Sequence, residues 1–292
     1  MKYEDKVKET YSDLRDFQKV TVDYLVQRMF DEEQGRMLVA DEVGLGKTWI
    51  AKGVIAQAYA RWCKMANKKS KHFNVYYICS NQQLFTQNLG KVNFTGEKCC
   101  IANDINRISM LALKPLHENE PVQIYALTPD TSFSNKSKQG IKEERYILYA
   151  ILQQTNEFNM VHLSNLLRGN GVQKQNWNPE SEKARYLQRV KNNVTEAYIK
   201  ALKTNHIQRE NLPTAFETYN LPEKITTWEM LKSVVEVFDR RKAYATIYNE
   251  IIGCMRKEMA DVCLKHMDAD LFVMDEFQRY SQLIDNNCQS EQ

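Results

Sequence analysis

The stretch Met37-Leu-Val-Ala-Asp-Glu-Val-Gly-Leu-Gly-Lys-Thr48 decides the fold of this chain of 292 residues. Its first four residues, Met37 to Ala40, form a short apolar run that predicts a buried parallel β-strand. Gly44 and Gly46 then allow a tight backbone turn, and a helical pattern follows directly. A strand, a glycine-rich turn and a helix in this order predict a phosphate-binding loop, because backbone N–H groups and the helix N-terminus face the bound polyphosphate.

The two side chains at the start of that helix suit a magnesium-bound nucleoside triphosphate. Lys47 would place its charge on the β- and γ-phosphates, and the hydroxyl of Thr48 would reach Mg²⁺. Gly44, Leu45 and Gly46 would bring their backbone close to the same phosphates. The alternative is a glycine-containing turn that binds nothing, but Lys-Thr in register after an apolar run favours the phosphate-binding loop.

A second motif lies near the end of the sequence. Leu271 to Met274 is an apolar run that predicts another buried strand, and Asp275 and Glu276 follow it directly. An aspartate at the carboxyl end of such a strand can bind Mg²⁺, and a neighbouring glutamate can orient and deprotonate the attacking water. This pair of carboxylates is weak evidence by itself and strong evidence downstream of a phosphate-binding loop.

Both motifs resemble those of superfamily 2 helicases. Ala40 to Thr48 is similar to motif I, closest to that of the Swi/Snf-like and RapA-like ATP-dependent DNA translocases, with Asp41 where the general pattern has its first glycine. Asp275 to Gln278, which reads Asp-Glu-Phe-Gln, is similar to motif II. The resemblance implies a RecA-like ATP-binding lobe of the P-loop NTPase class, with ATP and Mg²⁺ as cofactors. It also implies that ATP hydrolysis drives movement along nucleic acid, above all double-stranded DNA.

Other segments extend this resemblance. Leu14 to Gln18 is similar to the segment that holds adenine in the family, where the amide of Gln18 would pair with the base; a surface glutamine on an amphipathic helix is the alternative. In the family, the position of Gln278 relays the nucleotide state to the DNA-binding motifs. Ser80-Asn81 resembles motif Ia, and Thr128 to Phe133 resembles motif Ib. Both would contact the DNA backbone, with an ordinary helix cap and a solvated loop as the alternatives.

The interval between the two main motifs is too long for one nucleotide-binding lobe, because about five βα steps of roughly 30 residues each need about 150 residues. From about Glu143 onwards the pattern is helical, and Thr226 with Glu229 predicts a capping box. The sequence therefore predicts an α/β fold, a RecA-like parallel sheet with flanking helices and a helical insertion. The predicted parts are residues 1–149 and 266–292 for the RecA-like lobe and residues 150–265 for the insertion.

Periodicity predicts several further elements. Residues 11–30 predict one helix, with Phe17, Val20, Tyr24 and Leu25 on its inner side. The segments Val75–Cys79, Lys98–Ala102 and Val122–Leu127 are predicted strands. The apolar stripe from Tyr244 to Val262 has helical spacing and predicts a helix. Basic residues between Lys183 and Lys203 alternate with acids, which favours a solvated face of mixed charge over a DNA-binding surface.

Composition limits the class of protein. With 43% apolar and 26% charged residues, the chain has the composition of a soluble globular protein. A net charge of +3 means that any nucleic-acid surface is a local patch. No apolar run is long enough to span a membrane, and the charged start lacks the core of a signal peptide. The seven cysteines include no C-x-x-C pair, so the expectation is reduced thiols in a cytoplasmic protein.

The resemblance also predicts what should accompany this lobe. A Ser-Ala-Thr coupling motif and a second RecA-like lobe would follow motif II in the family, and neither is found in this sequence. The expectation is an N-terminal lobe that is completed by a second lobe in cis or in trans and that hydrolyses ATP poorly alone. Two alternatives stay open: a stand-alone nucleotide-binding switch that docks a partner, and an inert fragment.

Overall fold

A computed structural model divides the chain into two compact units, which are described separately here. Unit 1 comprises Met1–Asn106, Pro115–Phe133 and Asp268–Gln292, and unit 2 comprises Arg107–Lys114 and Ser134–Met267. The structure describes residues 2–40, 44–68, 70–79, 82–128, 138–169, 171–208, 216, 222–236 and 245–275, apart from the side chains of residues 82–86, 208 and 245.

Helices and short strands alternate along the described residues. The helices are α1 (Glu4–Ser12), α2 (Asp16–Phe30), α3 (Lys47–Lys64), α4 (Gln82–Val92), α5 (Lys142–Gln153), α6 (Met160–Arg168), α7 (Pro179–Arg189), α8 (Asn192–Thr204), α9 (Thr227–Glu236) and α10 (Ala245–Lys265). The strands are β1 (Phe73–Cys79), β2 (Val122–Leu127), β3 (His206–Gln208), β4 (Lys224–Thr226) and β5 (Leu271–Asp275).

Unit 1 is an α/β structure with a parallel sheet of three strands in the order β2-β1-β5. Val75 of β1 lies opposite Ile124 of β2 and Leu271 of β5. Apolar residues of the three strands are therefore direct neighbours across the sheet. At the carboxyl ends, Cys79 lies opposite Asp275. The three strands predicted from their apolar runs are therefore confirmed, and they form one sheet although β5 is distant in sequence. The predicted burial of β5 is wrong for Phe272 and Met274, which are exposed.

Aromatic contacts determine the direction of α3 relative to the sheet. Tyr59 and Trp62, near the C-terminus of α3, each pack against Phe73, the first residue of β1, with ring centroids 5.9 Å apart. From Lys47 to Trp62 the helix rises about 22 Å, and β1 spans about 20 Å from Phe73 to Cys79. Since α3 also packs along β1 and β5, its first turn is directed towards the carboxyl ends of these strands.

Two predicted strands of unit 1 are wrong. Met37 to Ala40 has no regular secondary structure, and Leu38 is 86% exposed. Only Met37 and Val39 pack against the core. Four apolar residues specify a strand only when a neighbouring strand pairs with them, and this run is not part of the described sheet. Lys98–Cys100 forms a 3₁₀ turn, and only Ile101 makes an isolated bridge to β2.

The helix predicted over residues 11–30 is two helices, because α1 ends at Ser12 and α2 begins at Asp16. The predicted inner face of α2 is also wrong apart from Leu25. Val22, Leu25 and Val26 are the buried apolar side chains of α2, whereas Phe17, Val20 and Tyr24 are exposed.

Gly53 on α3 explains which face of α2 packs inward. Its close contacts also predict that Gly53→Ala destabilises the protein. A Cβ on Gly53 would lie 2.8 Å from Leu14 Cδ1 and 2.9 Å from Val22 Cγ2. Alanine is the better helix former by about 1 kcal/mol. Both neighbours are buried and Val22 is stiff at χ1, so crowding costs about 1–3 kcal/mol. Gly53→Ala is therefore expected to lower the midpoint of chemical denaturation.

Gly90→Ala is the matched control for this prediction. Gly90 lies within α4, and a Cβ there would have no heavy atom within 4 Å. This substitution gains helix propensity without crowding and is expected to stabilise the protein by roughly 0.5–1 kcal/mol. If Gly53→Ala raised the midpoint as Gly90→Ala does, the tight packing of α2 on α3 would be contradicted.

Unit 2 consists mainly of helices. The apolar stripe predicted near the end of the insertion lies on α10, where Ile247, Ile251, Met255 and Met259 are buried. The structure adds an antiparallel pair of short strands, β3 and β4, which periodicity did not predict because each has only three residues.

The predicted capping box precedes α9 and is confirmed. The Glu229 backbone N–H donates to Thr226 Oγ1 at 3.1 Å, and the Thr226 N–H donates to Glu229 Oε2 at 2.9 Å.

Several basic side chains of unit 2 form ion pairs with neighbouring acids. Lys183 contacts Glu180 at 2.6 Å, and Lys203 contacts Glu157 at 2.8 Å. The predicted face of mixed charge is confirmed at these positions. Such exposed pairs contribute little to stability.

Among the described residues, no helix combines the length and the apolar character that crossing a membrane requires. The six cysteines within the described ranges are free thiols.

Candidate functional site

The glycine-rich turn before α3 has the backbone conformation that its sequence predicts. Gly44 has a φ of +96° and Gly46 a φ of +79°. Residues other than glycine rarely adopt such positive φ values. Gly46 is the N-cap of α3, and its carbonyl accepts from the backbone N–H of Trp49 at 2.8 Å. The turn thus leads directly into a helix whose first residue is Lys47.

The first turn of α3 can receive an anion. The N–H groups at a helix N-terminus have no partners within the helix and carry a partial positive charge. Lys47 and Thr48 occupy the first two helical positions, and both are half-buried. An ammonium group, a hydroxyl and the positive end of a helix therefore lie within one helical turn, a combination that suits a polyphosphate.

Gln18 is hydrogen-bonded to this turn. Its Nε2 donates to the Leu45 carbonyl at 3.1 Å, and its Oε1 accepts from the Arg15 backbone N–H at 3.0 Å. Gln18 is buried, although sequence periodicity alone favours an exposed position. A side-chain amide has two N–H donors and an oxygen with two lone pairs, so these bonds use half of its capacity. The remaining half matches the donor and acceptor pattern on the edge of an adenine.

Gly46 makes this contact possible. A Cβ at residue 46 would lie 2.7 Å from Gln18 Nε2. The glycine is therefore required twice, for its positive φ and for the close approach of the glutamine.

Asp275 ends β5, and two other elements hold its carboxylate. The hydroxyl of Tyr77 on β1 donates to Asp275 Oδ2, and Asn88 Nδ2 on α4 donates to the same oxygen at 3.2 Å. Burial, and then the bond to Asp275, raise the pKa of Tyr77 above its usual range, so Tyr77 stays protonated as a donor. Both bonds fall on Oδ2, which leaves Oδ1 as the oxygen for a cation.

The direction of α3 relates Asp275 to Lys47. The first turn of α3 is directed towards the carboxyl ends of β1 and β5, and Asp275 is the last residue of β5. In open parallel sheets, ligands bind outside this edge. The glycine-rich turn, Gln18 and Asp275 thus belong to one edge of unit 1.

Several predicted site residues lie outside the described residues. These are Asp41, Glu276, Gln278, the motif Ia pair Ser80-Asn81, and the motif Ib segment beyond Thr128. Thr128 itself is buried at the end of β2.

Sequence reasoning missed Tyr77 and Asn88, which position Asp275. Tyr77 lies in an apolar run in which every residue suits a buried strand, so nothing in the local pattern distinguishes it. Only the pairing of β1 with β5, between residues 198 positions apart, places its hydroxyl beside the aspartate. Alternation along β1 does predict that Tyr77 lies on the same face of the sheet as Val75 and Cys79. This alternation was the one feature of the sequence that could have indicated the position of the Tyr77 hydroxyl.

Comparison of the chain with protein-family models, with curated proteins and with solved structures returned no significant match.

Proposed function

We propose that unit 1 is the N-terminal, RecA-like ATP-binding lobe of a superfamily 2 ATP-dependent DNA translocase. The observation that carries the proposal is the glycine-rich turn before α3. Two glycines with positive φ precede Lys47 at a helix N-terminus, and the buried Gln18 is hydrogen-bonded to the same turn. The two bonds of Gln18 leave donor and acceptor capacity at this turn, which supports recognition of a base there. The resemblance of the surrounding motifs to this superfamily supports the same function.

Mg²⁺ would be held by Thr48 and Asp275. Hydroxyl and carboxylate oxygens are the ligands that this hard cation prefers, and it usually retains several waters. Mg²⁺ would neutralise charge on the phosphates, while Lys47 would hold the β- and γ-phosphates in position. Glu276 would orient and deprotonate the attacking water, and Gln278 would report the nucleotide state.

Nucleic acid and a second lobe complete the proposal. Backbone-phosphate contacts would come from Ser80-Asn81 and from Thr128 to Phe133, which follow the strands β1 and β2. A second RecA-like lobe, in cis or in trans, would supply the arginine that accelerates phosphoryl transfer, an effect of about 10³–10⁵ in rate.

The role of Gln18 gives the sharpest test of the nucleotide site. Gln18→Ala removes any hydrogen bonds to adenine, each of which contributes about 0.5–1.5 kcal/mol. We expect ATP to bind roughly tenfold more weakly and the preference for ATP over GTP to disappear. The measurement is competition by ATP, GTP and inorganic triphosphate against a fluorescent ATP analogue.

Inorganic triphosphate separates base recognition from support of the turn, because it has no base. If Gln18 only supports the turn through its hydrogen bond to Leu45, the substitution lowers the affinity for all three ligands equally. The assignment of Gln18 to adenine is then wrong. Gln27→Ala is the matched control, because Gln27 is an exposed glutamine on the same helix. It should change neither affinity nor selectivity.

A further inference from the structure

A second cluster of ligand atoms lies in unit 1, in residues that the nucleotide site does not use. The thiols of Cys99 and Cys100 and the carboxylate of Glu120 place one ligand atom each within 4.8 Å of one another. The cysteines lie at the 3₁₀ turn after Gly96, and Glu120 precedes β2. Three possible metal-ligand atoms thus lie close together, although Glu120 is 20 residues away from Cys100 in the sequence.

We propose that Cys99, Cys100 and Glu120 bind one thiophilic divalent cation of the Zn²⁺ class. Two sulfur ligands and one carboxylate oxygen suit Zn²⁺ or Cd²⁺ and exclude a preference for Mg²⁺. A tetrahedral cation with Zn–S bonds near 2.3 Å needs sulfurs roughly 3.8 Å apart. The three ligand atoms therefore need to approach one another by only about 1 Å.

The neighbouring side chains support a cation at this place. Tyr3 donates its hydroxyl to Glu120 Oε2 at 2.5 Å and lies 3.4 Å from Cys100 Sγ, so a fourth oxygen ligand, the phenol or a water, fits beside the three. Lys2 contacts Glu120 at 2.7 Å. Two thiolates, a carboxylate, a divalent cation and this ammonium group sum to zero charge, which lowers the cost of partial burial.

Access and protonation determine how the cation enters. Cys100 is fully buried, whereas Cys99 is half-buried. The cation must displace the proton of each thiol that it binds. The first contact is therefore Cys99, followed by closure onto Cys100 and Glu120. Binding would tie the start of α1, through Tyr3, to the segment that leads into β2.

Titration of the reduced, metal-free protein with Cd²⁺ tests the proposal, with thiolate-to-cadmium absorption in the near ultraviolet as the readout. We expect one equivalent of Cd²⁺ to bind and Zn²⁺ to displace it, while Mg²⁺ in large excess does not. Cys99→Ser should weaken binding at least about tenfold and reduce the absorption. Because Cys99 is half-buried, this variant is the least disruptive of the fold.

Two further variants complete the test. Glu120→Gln should weaken Cd²⁺ binding with little change in the absorption, since it keeps both thiols. Cys63→Ser, at a half-buried cysteine on α3, should leave binding unchanged. Absence of stoichiometric uptake by the wild type, or uptake that Cys99→Ser does not weaken, overturns the proposal. Neither result bears on ATP binding, which depends on other residues and on Mg²⁺.

Discussion

Lys47→Ala is expected to abolish detectable binding of a fluorescent ATP analogue. Lys47 is the first residue of α3, directly after two glycines with positive φ. Its ammonium group would make charge-assisted hydrogen bonds to the phosphates, each of which contributes about 1.5–3 kcal/mol. Loss of two such bonds weakens affinity by roughly 10²–10⁴-fold. Fluorescence anisotropy of the analogue in the presence of Mg²⁺ measures the change.

The control for this prediction is Lys64→Ala. Lys64 is the last residue of the same helix and is exposed. The two substitutions change the net charge equally, but only Lys47 lies at the end of α3 that faces the proposed phosphates. Affinity should be unchanged in Lys64→Ala. If Lys47→Ala also retained its affinity, the phosphate-binding loop would be wrong as an assignment, whatever the conformation of its glycines.

The strands of unit 1 could be predicted from apolar runs in the sequence, but not every apolar run forms a strand. β1 and β2 are mainly apolar runs of seven and six residues, and β5 has four apolar residues before Asp275. Met37 to Ala40 has the same character and the same length as Leu271 to Met274, but it does not form a strand. A short run becomes a strand through pairing with a distant segment, and the sequence of the run does not contain that information.

The inner face of α2 could not be predicted for a different reason. The helix carries one apolar stripe that includes Phe17 and Val20 and another that includes Val22 and Val26, so periodicity permits either face to pack inward. The choice depends on the missing side chain of Gly53 on a neighbouring helix. Gln18 is buried as a consequence, and its amide reaches Leu45.

Asp275→Asn is expected to remove most of the Mg²⁺ dependence of ATP binding. The substitution conserves size and keeps an oxygen that can accept from the Tyr77 hydroxyl, but it removes the negative charge. Mg²⁺ sites usually use one or two carboxylates, so a neutral amide is a poor replacement. We expect the gain in affinity on adding Mg²⁺ to fall by about tenfold or more. Titrations of the ATP analogue with and without Mg²⁺ measure this ratio.

Asp270→Asn is the matched control for that change. Asp270 precedes β5, and its Oδ2 accepts from the Asn74 N–H at 2.8 Å, at the amino end of the sheet. The same loss of charge at this opposite end should leave the Mg²⁺ dependence intact. Equal Mg²⁺ dependence in Asp275→Asn and the wild type would remove Asp275 from the metal site.

Glu276→Gln separates binding of the metal from hydrolysis at the same strand end. This residue follows Asp275 and lies outside the described residues, so its role is predicted from the sequence alone. If Asp275 binds Mg²⁺ and Glu276 deprotonates water, Glu276→Gln retains the Mg²⁺ dependence of binding and loses turnover, whereas Asp275→Asn loses both. Single-turnover hydrolysis, measured beside binding for both variants of the full-length protein with its second lobe, distinguishes these outcomes. Retained turnover in Glu276→Gln would mean that another group is the base, because an amide cannot accept the proton.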